Sequence, residues 1–223
     1  MKVKRELFIG IVMMGTFIIW TLLIQCIDVK VAGESFSKVG FATLNVWFHH
    51  LTGTHMILYT ITDWLGLVPI MVCLCFGALG FSQLVKRRSL FQVDSDIIIL
   101  GAYYILVIFA YLVFETIPIN YRPVLINGAA EASYPSSTTL LVLSVMPTLK
   151  YQADRRFENF LLKKSITIFI TMFSAFMVVG RLISGVHWVT DIVGSMLLGF
   201  SLFMLYCAAV EMISGKDEIK DGV

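Results

Sequence analysis

Six long apolar runs, at 7–27, 56–85, 97–117, 138–149, 166–180 and 188–213, are separated by short polar segments along the chain. A bilayer crossing needs about 20 predominantly apolar residues and no fewer than roughly 17. Four runs meet that length unaided. The fourth and fifth are completed from their flanks, starting at Pro135 and Phe160. The pattern predicts an all-α polytopic membrane protein with six transmembrane helices. The first run follows Met1-Lys-Val-Lys-Arg5, yet its apolar core is too long for a signal-peptide core and no small-residue cleavage site follows. It reads as a retained helix. With no internal repeat, low-complexity tract or linker, residues 1–223 are expected to form one membrane-embedded domain.

The segment after the first span, 28–55, carries a second pattern. Phe36, Val39, Val46 and Trp47 recur at helical spacing with Thr43 as the one polar member of the stripe. This predicts an amphipathic helix lying in the membrane interface. His49, His50 and His55 end the segment. Adjacent histidines point to different helix faces, and no acidic or thiol partner stands at ligand spacing. They read as interfacial residues and not as a metal site.

Composition excludes the other classes. With 58% hydrophobic residues and a mean hydropathy of +0.85, a soluble domain of this size would have a largely apolar surface. A net charge of +2 gives no case for nucleic acid. Cys26, Cys73, Cys75 and Cys207 lie in or beside apolar runs without CxxC spacing, as reduced core residues do. The basic residues instead follow topology. Thirteen of the 17 lysines and arginines, including Lys216 and Lys220, precede the first span or fall in alternate loops and the tail. The positive-inside rule then places both termini and the 150–164 basic run in the cytoplasm. Only Lys30, Lys38, Arg122 and Arg181 remain outside.

Two outer loops hold the residue types that bind and attack phosphate. In 180–191, Arg181 stands at the outer end of the fifth helix and His187 at the start of the sixth. Asp191, four residues on, shares a helical face with His187. A carboxylate there can accept the Nδ1 proton and leave Nε2 free to attack. In 120–139, Pro135-Ser136-Ser137 reads as a helix N-terminus whose dipole and free N–H groups face outward. Arg122 adds a bidentate phosphate ligand. Each residue also has a plain structural role. Arg181 can anchor a helix end, His187 can be interfacial, Asp191 can offset a dipole, and Ser136 and Ser137 can cap a helix.

The spacing Arg181-x5-His187-x3-Asp191 resembles the third signature of the type 2 phosphatidic acid phosphatase family. Arg122-Pro123 resembles the end of its first signature, Lys-x6-Arg-Pro, and Pro135-Ser136 the start of its second, Pro-Ser-Gly-His. The resemblance covers about 56–213. It implies a phosphohistidine route on the outer face of a plasma-type membrane. His187 would be nucleophile, Asp191 its orienting partner, and Arg122, Arg181 and Ser136 phosphate ligands, with Ser137 beside them. It implies no metal and no cofactor. The departures are Glu115 for the first-signature lysine, Ser137 for the glycine, Thr138 for the histidine, and Gly180 for the usual serine before Arg181. In the family that histidine resembles the general acid.

The resemblance implies a lipid-phosphate phosphatase acting on phosphatidic acid, phosphatidylglycerol phosphate or a polyprenyl (pyro)phosphate within the bilayer. The lost histidine leaves open a silent relative that only binds or translocates lipid phosphates. Asp63 and Glu115 are the features that would suit an unrelated six-helix transporter. Asp63 either pairs with an outer arginine, lines a proton path or is hydrogen-bonded structurally. Glu115, two helical turns before Arg122, is expected to lie near it.

Overall fold

The computed structural model describes residues 2–221, with side chains to residue 213. The chain runs α1 (Lys2–Cys26), β1 (Lys30–Ala32), β2 (Ser37–Val39), α2 (Ala42–Thr52), α3 (Met56–Leu65) and α4 (Leu67–Arg87). It continues through α5 (Ser95–Thr116), α6 (Ser137–Arg156), α7 (Phe160–Ile183) and α8 (Val189–Asp221). The side chains of Lys216 and Lys220 lie outside the described residues. Helices α3 and α4 are one long apolar run broken at Gly66. Pro69 has no N–H to offer the Leu65 carbonyl, which weakens the helix there.

The fold is that of an all-α polytopic membrane protein. Among the described residues, α1, the α3–α4 run, α5, α7 and α8 are long and apolar enough to cross a bilayer. Their outer faces present Phe8, Ile19, Phe81, Ile105, Phe109 and Phe176 away from the protein. So much exposed apolar surface suits lipid and not water.

The fourth expected span differs from the other five. Helix α6 has 20 residues, a crossing length at 1.5 Å each, but not the apolarity of a lipid-facing helix. The reason is its position. It packs against α4, α5, α7 and α8, and Thr138, Thr139, Ser144, Thr148 and Gln152 are all buried. Several of its polar groups are paired inside the bundle: Tyr103 Oη donates to the Ser144 carbonyl (2.9 Å), Tyr104 Oη meets Thr148 Oγ1 (2.8 Å), and Gln152 Nε2 donates to Tyr206 Oη (2.8 Å). Helix α1 lies along α8, where Ser201 Oγ donates to the Gly10 carbonyl (2.8 Å).

Helix α6 is tied to α4 and α5 at the end bearing the basic loops. Arg156 Nη2 reaches both oxygens of Asp96 (3.0 and 2.8 Å), while Arg156 Nη1 and Arg87 Nη1 hold Asp94 at 3.3 and 2.8 Å. The 150–164 run therefore also serves packing.

The segment 28–55 corrects the expected single helix. Phe36 and Val39 belong to the β1–β2 hairpin, and helix begins only at Ala42. Gly40 forces this change of course, because a Cβ there would fall 1.6 Å from the Ile24 carbonyl oxygen. Helix α2 packs on the protein through Ala42 and Asn45 and leaves the stripe's Trp47 outward, as an interfacial helix does. Trp47 is exposed, whereas Asn45 is buried, with its Nδ2 donating to the Gly40 carbonyl and to Thr190 Oγ1, both at 2.9 Å.

A candidate anion cradle at one end of the bundle

The residues singled out in the two loops meet where α3, α6, α7 and α8 end together. Residues 120–133 fold as a small hairpin. Tyr121 bridges Ala132, Ile126 bridges Ala129, and Asn127-Gly128 turn between them with φ of 51° and 78°. Asn-Gly is the preferred pair for such a two-residue turn. The hairpin holds Arg122 in a buried position, its Nη2 3.2 Å from Glu131. The β1–β2 hairpin steadies it, since Glu34 N–H donates to the Pro123 carbonyl (2.9 Å) and Leu125 N–H to Glu34 Oε2 (2.8 Å).

Arg181, at the end of α7, is 1% exposed. Its Nη2 donates to Thr138 Oγ1 (2.8 Å) and lies 3.5 Å from Asp63, and its Nη1 lies 3.5 Å from Thr62 Oγ1. The Tyr59 ring sits between the two arginines, 4.8 Å from the Arg181 guanidinium carbon and 5.6 Å from that of Arg122. Gly180 permits this packing, as a Cβ there would stand 2.8 Å from Thr62 Cγ2.

His187 lies between α7 and α8 and is buried. Its Nδ1 is 3.2 Å from the Ser133 carbonyl, to which it can donate, and 3.7 Å from Asp191 Oδ2. The expectation that Asp191 takes the Nδ1 proton is thus modified, because the nearer acceptor is a backbone carbonyl. Helix α8 starts after His187, so the two residues do not share a helical turn. Asp191 instead organises the loop. It accepts from Ser133 Oγ, from the Trp188 N–H (2.8 Å) and from Asn120 Nδ2 (3.4 Å).

Ser136 stands at the N-cap position of α6 without a side-chain capping bond, its N–H toward the Asp191 carbonyl (3.4 Å) and its hydroxyl donating to Thr139 Oγ1 (3.0 Å). Ser195 Oγ donates to the Ser136 carbonyl (2.9 Å), locking the start of α6 onto α8. Ser137 is half-buried, and the first-turn amides of α6 have no acceptor within the helix.

Four buried nitrogens in this cluster have no hydrogen-bond partner: Arg122 Nε and Nη1, Arg181 Nε, and His187 Nε2. Buried polar groups are ordinarily paired. Unpaired donors on two guanidiniums beside an unpaired imidazole nitrogen suit an anion. Burial, and then the positive charges of Arg122 and Arg181, hold the His187 ring well below the ordinary imidazole pKa. The ring is neutral at neutral pH.

Glu115 does not join the cluster. Helix α5 ends at Thr116, so the two-turn spacing to Arg122 is not helical, and Arg122 pairs with Glu131. Glu115 is exposed and forms no ion pair among the described residues. Sequence reasoning missed Tyr59, Asn120, Glu131 and Ser133. The Tyr59/Thr62/Asp63 polar edge of an otherwise apolar span and the Asn-Gly turn were the available signals. Of the three histidines of 28–55, the rings of His49 and His50 lie 6.5 Å apart. His55 Nε2 meets the Thr52 carbonyl (2.8 Å), while the His49 ring packs 5.8 Å from that of Trp188.

A polytopic all-α bundle with a buried cluster of arginines and a histidine at one end defines the class as a helical membrane protein. The PAP2 superfamily model matches residues 97–214, more than half of the chain, and the protein belongs to that family. Its fold is similar to a transmembrane PAP2-type phosphatidylglycerolphosphate phosphatase from Bacillus subtilis, with a TM-score of 0.62 and 18% identity over 92% of this chain and 96% of that one. No curated protein matches by sequence. Family membership supports a membrane hydrolase of the phosphatase class.

Proposed function

We propose that the chain is a lipid-phosphate phosphatase working through a phosphohistidine, with its site on the extracytoplasmic face and both termini in the cytoplasm. The observation that carries this reading is the state of His187. Its Nδ1 is engaged by the Ser133 carbonyl while Nε2 is buried, unpartnered and uncharged beside two arginines. Nε2 would attack phosphorus as the bond to the lipid-side oxygen breaks. Arg122 and Arg181 would hold the phosphoryl oxygens with the α6 amides and Ser137, while Ser136 positions that helix end. Water would then cleave the N–P bond and release phosphate. Asp191 acts by holding Ser133, whose carbonyl sets the tautomer.

Thr138 decides the substrate preference. Its hydroxyl accepts from Arg181 and is far too weak an acid to protonate a leaving alkoxide. A lipid phosphate, with a second pKa of about 6, departs from a pyrophosphate unaided. The chain should therefore favour a pyrophosphorylated lipid over phosphatidic acid. Thr138→His should raise monoester turnover more than pyrophosphate turnover. The test is phosphate release from a panel of both lipid classes by the purified protein, with His187→Ala as control. Equal enhancement of both classes would show that another group supplies the proton. The Arg181–Thr138 bond also favours a second reading, a silent binder of lipid phosphates. Release from neither class, in wild type or Thr138→His, would establish it.

A further inference from the structure

Water must cleave the N–P bond for the cradle to turn over, and none of the roles above accounts for that water's proton. The carboxylates near the cradle differ in how far each is committed. Asp191 is fully buried and accepts from Ser133 Oγ, the Trp188 N–H and Asn120 Nδ2. Glu131 is tied to Arg122 Nη2 at 3.2 Å. Asp63 is freer. Its side chain is 56% exposed, and its only ion pair among the described residues runs from Oδ1 to Arg181 Nη2 at 3.5 Å, long for a hydrogen bond.

Asp63 is also the sole carboxylate of the apolar run formed by α3 and α4. An acidic group in a membrane helix is costly and ordinarily faces a polar interior or a cavity. The break at Gly66 sets the last turn of α3 against the start of α6, where a Cβ on Gly66 would stand 3.4 Å from Thr138 Cγ2. Asp63 and Thr138 thereby meet the same Arg181 nitrogen, Thr138 at 2.8 Å. Asp63, Ser137 and Thr138 line one cavity, so the carboxylate opens on the space before the first-turn amides of α6. Asp63 comes to the arginine from α3, whereas His187 comes from the loop between α7 and α8. Among the described residues no hydrogen bond or ion pair joins the two.

We propose that Asp63 is the general base of the second half-reaction, taking a proton from the water that hydrolyses the phosphohistidine. Displacement at a phosphoryl group runs in line, so that water enters on the face of phosphorus away from His187 Nε2. Its oxygen bonds to phosphorus as the N–P bond breaks, and the electron pair of that bond returns to Nε2. The ring keeps its Nδ1 proton on the Ser133 carbonyl and leaves neutral, so this step requires no acid. The proton on Asp63 then passes to the departing phosphate or to bulk water. Thr138 cannot take this part, because a neutral hydroxyl is as poor a base as it is an acid. The inference rests on the phosphatase reading and adds a catalytic residue to that same site.

Farnesyl pyrophosphate radiolabelled in its terminal phosphate follows both halves of the reaction in the full-length protein. Asp63→Asn keeps an amide oxygen for Arg181 but offers no base. First-turnover release of farnesyl phosphate should keep its wild-type rate, and label should accumulate on the protein as alkali-stable phosphohistidine. Steady-state phosphate release should fall by about 10²–10⁴-fold. Hydroxylamine, a nucleophile that needs no base, should discharge the accumulated label, and Asp63→Glu should recover part of the turnover. A residue that merely anchors Arg181 would instead slow the first turnover and leave no label on the protein. That result, or undiminished steady-state release by Asp63→Asn, would overturn the proposal while wild-type hydrolysis upheld the phosphatase reading. Should wild type release no phosphate, the phosphatase reading itself fails, and the base falls with it.

Discussion

The His187 ring has one nitrogen engaged and one bare, and burial, reinforced by two arginines, keeps it uncharged. Protonation of Nε2 would remove the nucleophile. The acid limb of kcat/KM should therefore lie below the ordinary imidazole value of about 6.5, with activity present above the folded-state pKa and lost as pH falls through it. Stability follows the same sign: the unfolded chain binds this proton more readily, so acidification below about pH 6.5 weakens the fold. A limb at or above that value would show that neither burial nor the arginines govern the reacting imidazole. Glu131 competes with an anion for Arg122 Nη2, the part that Glu115 was expected to play. Glu131→Gln should tighten vanadate inhibition by up to about fivefold, the range for a half-exposed pair, while Glu115→Gln should leave it unchanged. The signature residues of this site were legible from spacing. Their true partners were not, because the Ser133 carbonyl, Glu131 and Tyr59 reach the site through chain folding and not through sequence proximity.

Among the elements, α8 and α6 fix the cradle by close approach. Gly194→Ala would push a methyl into the Tyr134 ring, which is itself packed against Phe17 and Phe114. Overpacking of this kind costs about 1–3 kcal/mol, and the displaced Tyr134 should carry Ser133 with it and lower turnover too. Thermal unfolding and phosphate release check the two parts separately. At the other end, Asp96→Ala removes both Asp96 oxygens from Arg156 Nη2, leaving Asp94 as the arginine's remaining carboxylate, and should cost about 1.5–3 kcal/mol without changing substrate preference. Apolar run length predicted the lipid-facing helices because lipid demands apolar residues there. It found α6 as a helix but not its protein surroundings, where hydroxyls can hide, and the separate amphipathic pattern over 28–55 ran through a hairpin, with helix only from Ala42.

At the scale of the whole molecule, the cradle and the basic loops lie at opposite ends of one bundle, so the proposed orientation is tested by labelling the two ends. In a cysteine-free background, Glu131→Cys should react with an impermeant maleimide on intact cells, and Arg88→Cys only after permeabilisation. The reverse pattern would place the site in the cytoplasm. The sequence by itself determined the membrane class, five of the spans, the family signatures and their order, because bilayer thickness and phosphate chemistry act on residue type and local spacing. Tertiary structure alone decided that Arg122 and Arg181 share the Tyr59 ring and that a backbone carbonyl and not Asp191 lies nearest His187 Nδ1. These are relations between residues far apart along the chain, set by how helices pack, and no local pattern encodes them.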